Sequence, residues 1–426
     1  MASAADQLHQ FFESLLGRPV PLTIVFWDGS RIADADAGPT ATFHTPNALR
    51  RILYAPGELG FARAYVTGEV DIDGDLHDAL RVLAQGSDEL AVSWRMWGST
   101  ARAALSLGVL GRPLPAPPEE AHVRGRLHSI GRDRDAIAHH YDLSNDFYEL
   151  FLGPSMTYSC ARFTEPGQSL EQAQAAKYEL ICRKLGLRPG MRLLDVGCGW
   201  GGMVVHAARH HGVDAVGVTI SEEQHAYATR RVKEAALDQA VEIRLQDYRS
   251  IGGERFDAIS SIGMAEHVGR RNIRSYLGAL ATLLEPTGRL LNHAISTPNG
   301  ASYDSRTFIN RYVFPDGELP DVAQIVTGMQ DHGLDVRDVE CLREHYALTL
   351  RRWSANLDAA WDEACRLVGV RRARVWRLYL AAVAVSFETA DIGIHQVLGV
   401  KLTAAGGSRM PMTRAGFEDD ARVSSA

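Results

Sequence analysis

Long apolar runs, paired cysteines and a phosphate-binding lysine are all missing from this sequence of 426 residues. Without a run of eighteen or more apolar residues, no segment reads as membrane-spanning. Met1 to Gly17 carries Asp6 and Glu13 and lacks the charged-then-apolar order of a secretory signal. The five cysteines are odd in number and scattered, which fits free thiols in a reducing cytoplasm. Cys182, Cys198, Cys341 and Cys365 read as small buried residues. No CxxC pair or His/Cys cluster has zinc spacing, so no metal is expected. A net charge of −7 argues against broad nucleic-acid binding, and nucleic acid is not an expected partner.

What is present is chain enough for two domains. Residues 1–111 read as a smaller α+β domain, with a strand over Leu22–Trp27 and a hairpin turn at Asp28-Gly29. Pro113, Pro115, Pro117 and Pro118 mark 112–123 as an extended linker. From 124 to 404, strands and helices alternate. Strand candidates are Arg192–Val196, Ala215–Thr219, Val241–Leu245, Ala258–Ile262 and Leu290–Ile295, with helices such as Glu222–Ala235 and Ile273–Leu284 between them. Later strands near Leu334–Val339 and Tyr346–Leu350 would complete seven. Such alternation predicts a mostly parallel sheet with helices on both faces. Residues 405–426 read as a mobile tail.

The run Leu193-Leu194-Asp195-Val196-Gly197-Cys198-Gly199-Trp200-Gly201-Gly202 is a buried strand that stops at glycine. Glycines there allow a tight turn and the close approach of a ligand. The spacing G-x-G-x-G-G is neither the dinucleotide pattern nor a P-loop. An acidic residue two positions before the first glycine is typical of a turn that holds S-adenosylmethionine (SAM). A tight turn without a ligand is the plainer alternative. The expected fold is α/β: a Rossmann-like, seven-stranded class I SAM-dependent methyltransferase.

Polar residues at strand ends supply candidate contacts. Asp195, Gly197 and Gly199 belong to the turn. Thr219 and Gln224 stand where many such sites carry an acid for the ribose, and Asp247 with Tyr248 suits an adenine ring. Ser221 with Gln224 also reads as a capping box. Glu266 at the mouth of the fourth strand, and His293 inside an apolar fifth strand, face the ligand crevice. Tyr346 opens a late strand, and Cys160 follows Tyr158-Ser159 ahead of the sheet. A satisfied core role is open for each.

Taken together, Ala138 to Asn145, Tyr158 to Ala161, Glu171 to Gln174, the glycine turn, Gly217 to Ser221, Gln246 to Arg249, Glu266 to Gly269, Tyr312 to Pro315 and His345 to Leu350 resemble the cyclopropane-fatty-acyl-phospholipid synthase family, which includes the mycolic acid methyltransferases. The resemblance implies SAM and a bicarbonate ion as cofactors. It implies a bicarbonate site of Cys160, Glu266, His293, Tyr346 and Ile295, the last through its backbone. SAM contacts would add Tyr158 and Ser159. Pro56 to Gly60, Leu291 to His293, Asp316 to Leu319 and Leu398 to Lys401 look more like an actinobacterial branch, some members of which form 10-methylene stearate on the tuberculostearic acid pathway.

The reaction implied is methyl transfer to the cis double bond of an oleoyl-like acyl chain, giving a cyclopropane or a 10-methylene branch. Phe308, Tyr312 and Phe314 would line the acyl channel, with core packing as the alternative. A membrane phospholipid would be the substrate, and the place the inner face of the membrane, reached peripherally from the cytoplasm with help from the N-terminal domain. His122, Arg124, Arg126, His128, Arg132 and Arg134 form a basic cluster suited to anionic headgroups, or one paired internally. A homodimer and a reductase acting on a methylene product are partners the resemblance leaves open. A lipid-binding paralogue without catalysis and a small-molecule methyltransferase are the other readings.

Overall fold

The computed structural model describes residues 2–16, 20–33, 38–87, 106–121, 132, 144–298 and 307–418. Its compact units are not single cuts of the chain. Met1–His122, Asp304–Pro315 and Leu357–Val385 form the first unit; Val123–Tyr303, Asp316–Asn356 and Ser386–Ala426 form the second. The sequence reading drew contiguous boundaries, and two internal segments instead join the N-terminal residues.

The first unit carries a four-stranded sheet. Strands β1 (Thr23–Val25), β2 (Arg31–Ile32), β3 (Thr40–Phe43) and β4 (Val70–Asp73) lie in the order β2-β1-β3-β4. The β1–β2 pair is the hairpin expected around Asp28-Gly29. Phe12, Phe26 and Phe43 form an aromatic centre, with ring centroids 5.8–5.9 Å apart. The Pro-rich stretch is not a free connection. Arg51 Nη1 donates to the Pro115 carbonyl at 3.0 Å, Tyr54 donates to that of Gly111, and the Ala121 amide donates to that of Arg311 at 2.7 Å. Prolines keep their carbonyls as acceptors, so an extended Pro-rich chain can still be stitched to a surface.

The second unit is built on a seven-stranded sheet in the order β10-β11-β9-β8-β5-β6-β7. Its strands are β5 (Arg192–Val196), β6 (Asp214–Thr219), β7 (Val241–Leu245), β8 (Phe256–Ile262), β9 (Leu284–Ser296), β10 (Leu334–Cys341) and β11 (Gly393–Lys401). Pairing is parallel from β7 through β9, and β11 inserts antiparallel between β9 and β10. Six of the seven expected strands are here. Tyr346–Leu350 is not one: it lies in the helix Arg343–Ala359, and β11 completes the sheet. His345-Tyr346-Ala347-Leu348-Thr349-Leu350 mixes β formers with helix formers, and the Leu350 and Trp353 side chains are buried at helical spacing.

Alternation along the strands sorts residues between two cores. Leu194, Val196, Leu290 and Ala294 pack with the helix Ile273–Thr282. Leu193, Leu291 and Leu398 face the other way, onto the helices Leu170–Leu185 and Gly202–His211. Asp195, His293 and Gln396 share the parity of this second set, as does Ile295, so these three polar side chains fall on one face of the sheet.

After Ala404 the described residues run to Glu418. Phe417 is 5% exposed within the second core, and Arg414 pairs with the buried Asp338 at 2.6 Å. One large aromatic ring anchors a stretch that composition alone describes as a tail. Cys341 is exposed and Cys365 half-buried, against expectation; Cys341 closes β10, which lies at the sheet edge.

Candidate active site

The glycine turn opens directly from β5. Gly197 (φ 75°), Gly199 (φ 53°) and Gly201 (φ 80°) all occupy the left-handed region that side chains avoid. A Cβ on Gly197 would meet Met264 Sδ at 2.4 Å, whereas one on Gly199 would project into open space. Amides of Gly197 and Cys198 both donate to the Val218 carbonyl, at 3.0 and 2.9 Å, which ties the turn to β6. Trp200 Nε1 donates to Asn145 Oδ1 at 2.7 Å, so the resemblance motif ending at Asn145 touches the turn. Residues 138–143 of that motif lie outside the described residues.

Asp195 is buried beneath the turn and accepts from Ser260 Oγ at 2.6 Å. Burial pushes its carboxyl up to about 6, with the Ser260 hydrogen bond and the Lys177 charge opposing that rise. Lys177, on the helix Leu170–Leu185, is fully buried; its Nζ donates to Ser159 Oγ at 2.9 Å and stands 3.7 Å from the centroid of the Tyr178 ring. Burial pulls this ammonium down to about 7, offset in part by Cys160 and Asp195. Sequence reasoning passed over Lys177. Its signal was legible: a lysine on the helix face otherwise made of Leu170, Ala173, Ile181 and Leu185.

At the end of β6, Thr219 Oγ1 donates to Gln224 Oε1 at 2.9 Å. Ser221 does cap the following helix by accepting from the Gln224 amide at 3.2 Å. The Gln224 side chain turns to Thr219 rather than back to the cap, so only half of the expected capping box forms. Asp247 caps the 3-10 turn Tyr248–Ser250 and forks onto Arg249, at 2.9 Å to Nε and 2.7 Å to Nη2. The Tyr248 ring meets Tyr276 edge-on, with centroids 5.0 Å apart.

Glu266 sits in the one-turn helix Ala265–Val268 just past β8. Its Oε1 accepts the Ile295 amide at 2.7 Å, and its Oε2 is buried without a hydrogen-bond partner. Burial pushes this carboxyl up to about 7. His293 is fully buried, and its Nδ1 faces Gln396 Nε2 at 3.0 Å across the β9–β11 pair. With the amide donating, the imidazole proton sits on Nε2, which has no partner. Burial and the Lys177 and Lys184 charges hold His293 well below its ordinary value, so it is neutral.

Cys160 is completely buried; its thiol donates to the Ala161 carbonyl at 3.1 Å and lies 3.7 Å from that of Leu342. Burial pushes the thiol far up, so it stays protonated. The Leu342 carbonyl accepts from the Tyr346 amide, and the Leu342 amide donates to Ile394, which pairs with Ile295. This backbone chain draws Cys160, Tyr346, Ile295 and Glu266 into one neighbourhood. Tyr346 packs at a tilt on Phe387, with centroids 4.7 Å apart, and meets Trp353, which in turn packs on Tyr158 at 5.4 Å.

Phe308, Tyr312 and Phe314 belong to the first unit. Phe308 packs on Tyr312 at 5.3 Å, Tyr312 donates to Glu120 at 3.2 Å, and Phe314 meets Tyr379 edge-on. Their rings are engaged there in the packing role that the sequence left open beside an acyl channel. Of the basic cluster, His122, Arg124, Arg126, His128 and Arg134 lie outside the described residues. Arg132 is committed to Asp316, with Nη2 donating to Oδ1 at 2.7 Å. No helix of the described residues is long and apolar enough to cross a membrane.

Comparison with known proteins decides the family. The family model for mycolic acid cyclopropane synthetase matches residues 128–397. The chain belongs to that family. It is 44% identical over 404 residues to a probable fatty acid methyltransferase of Mycobacterium tuberculosis, covering 92% of this chain and 94% of the relative. A tuberculostearic acid methyltransferase of the same organism is 34% identical over 396 residues, covering 88% and 87%. Among solved structures, a mycolic acid cyclopropane synthase complexed with SAH and CTAB superposes with a TM-score of 0.60 at 33% identity, covering 63% of this chain and 98% of that one. The chain is thus a SAM-dependent methyltransferase with the expected class I fold.

Proposed function

We propose that this enzyme methylates the cis double bond of an oleoyl-like chain in a membrane phospholipid, with a bicarbonate ion held by Cys160, Glu266, His293, Ile295 and Tyr346. The observation that carries the reading is a pair of buried polar atoms left without partners, Glu266 Oε2 and His293 Nε2. Such orphans are costly, at about 1–3 kcal/mol each, unless something binds them. One is an acceptor and the other a donor, which matches an ion carrying both O–H and oxyanion. A protonated Cys160 thiol adds no competing negative charge.

When bound, SAM supplies an electrophilic methyl group and bicarbonate an acceptor for one proton. The chain's own residues orient and desolvate. His293, fixed by Gln396, presents Nε2–H. Glu266 divides its carboxylate between the Ile295 amide and the site. Asp195 stands ready for the amino-acid part of SAM, and the Tyr158, Trp353 and Tyr346 rings wall the site from water. Methyl addition leaves a carbocation on the acyl chain. Loss of a proton from the new methyl closes a cyclopropane; a hydride shift before proton loss leaves a 10-methylene branch. Relatives named for both kinds of product, a tuberculostearic acid methyltransferase and cyclopropane synthases, keep both outcomes in the proposal.

The test uses phospholipid vesicles bearing oleoyl chains in carbonate-depleted buffer. Added bicarbonate should restore turnover, and mass spectrometry should find a one-carbon gain on the lipid. Equal rates with and without bicarbonate would overturn the anion assignment. Docking at the inner membrane face is proposed through Arg124, Arg126 and Arg134, with Arg132 set aside because Asp316 holds it. Replacing those three with Gln should weaken co-sedimentation with anionic vesicles at low salt, by about 1 kcal/mol each.

A further inference from the structure

On the helices Leu170–Leu185 and Gly202–His211, one ligand atom from each of Cys182, His206 and His211 lies within 4.8 Å of the others. A fourth donor adjoins them. Glu179 Oε2 is 3.0 Å from His211 Nε2 and 3.5 Å from His206 Nε2. Glu179 stands one turn before Cys182, so both project from the same helix face. We propose that Glu179, Cys182, His206 and His211 bind a single borderline divalent cation, zinc foremost.

The donor set of one thiolate, two imidazoles and a carboxylate is the mixture zinc takes up in tetrahedral sites. A tetrahedral ion with bonds of about 2.0–2.3 Å sets its ligand atoms roughly 3.3–3.8 Å apart, so adjustments of about an ångström close Cys182, His206 and His211 on it, and Glu179, which lies against the two imidazoles but outside that group of three, turns further to complete it. The carboxylate is shared between two rings. His206 Nε2 is buried and stands 3.5 Å from Glu179 Oε2, longer than the 3.0 Å contact His211 makes to the same oxygen. A cation would engage both rings and the carboxylate at once, with the thiol proton released to solvent. His210, whose ring lies 4.6 Å from that of His206, is exposed and stays outside the set. None of the four residues belongs to the methyl-transfer site. Linear spacing hides them, since two helices separated by β5 and the glycine turn supply the ligands. A bound ion would cross-link those helices around β5.

Cobalt(II) is the probe, titrated into chelator-treated full-length protein. The expected result is saturation at one equivalent, with a thiolate-to-cobalt charge-transfer band and the intense visible bands of tetrahedral cobalt, all displaced by zinc. Cys182→Ser should abolish the charge-transfer band, while Cys341→Ser, which removes the exposed thiol, should keep it. Glu179→Gln should weaken binding roughly 10–100-fold. No saturable band in the wild type, or a band that survives Cys182→Ser, overturns the proposal. Should Cys182→Ser fail to fold, thermal unfolding of the wild type in zinc against chelator decides. A zinc-dependent rise in midpoint that His211→Gln abolishes supports the site; no rise in the wild type overturns it.

Discussion

Gln396 Nε2 lies 3.0 Å from His293 Nδ1, and this contact determines which imidazole nitrogen carries the proton. Replacing Gln396 with Leu removes the donor and lets the ring exchange tautomers. Turnover should fall on the order of 10-fold, the worth of one net hydrogen bond, while SAM affinity measured by calorimetry stays unchanged. A loss of SAM affinity as large as the loss of turnover would place Gln396 with the cofactor instead.

SAM binding should depend on pH through Asp195. Its carboxyl titrates at about 6, and the ionised form suits an ammonium. Affinity should therefore rise with pH through that value and level off above it. Lys177 lowers the Asp195 value, so Lys177→Met should move the midpoint upward. Calorimetric titrations between pH 5 and 8, on both proteins, read the shift directly.

Glu266 costs stability when charged. Its folded value of about 7 exceeds the ordinary 4.5, so the folded state binds the proton more tightly than the unfolded chain. The stabilisation from this group is full below pH 4.5 and is lost as pH rises through 7. Glu266→Gln should thus gain stability relative to wild type across that window, by up to about 3 kcal/mol at about 1.4 kcal/mol per pKa unit. Denaturant unfolding at pH 5 and pH 8 in carbonate-depleted buffer provides the comparison. The same variant should lose turnover by about 100-fold.

Phe417 should matter more than its place near the end of the chain suggests. Phe417→Ala empties a site in the core that also holds Cys182 and Leu398 and should cost about 3–5 kcal/mol at full burial. Urea unfolding measures it; a cost under 1 kcal/mol would mean the helix Ala415–Glu418 is not anchored by that ring.

Strands, helices and the glycine turn of the second unit were legible because apolar runs alternate with amphipathic ones over β5 to β9. Glu266 and His293 stood out as polar residues in apolar strands. What escaped depends on contacts distant in sequence. Gln396 acts only through its pairing with β9, and Lys177 only through Ser159 and Asp195. Tyr346 was assigned to a strand because aromatic and threonine residues suit strands, and tertiary packing of the helix Arg343–Ala359 overrode that preference. The ownership of Asp304–Pro315 and Leu357–Val385 by the first unit has no local signature.

That ownership bears on dissection of the enzyme. Arg374 lies over the Tyr65 ring at 4.2 Å and donates to the Val70 carbonyl, and Glu120 holds both Arg63 and Tyr312. Excising the first 122 residues would leave Tyr312 and Arg374 on the two internal segments of the first unit without these partners, with apolar helix faces wet and an arginine unpaired. The proline-rich stretch therefore marks no modular seam. Swapping the N-terminal portion between relatives would have to carry all three pieces together.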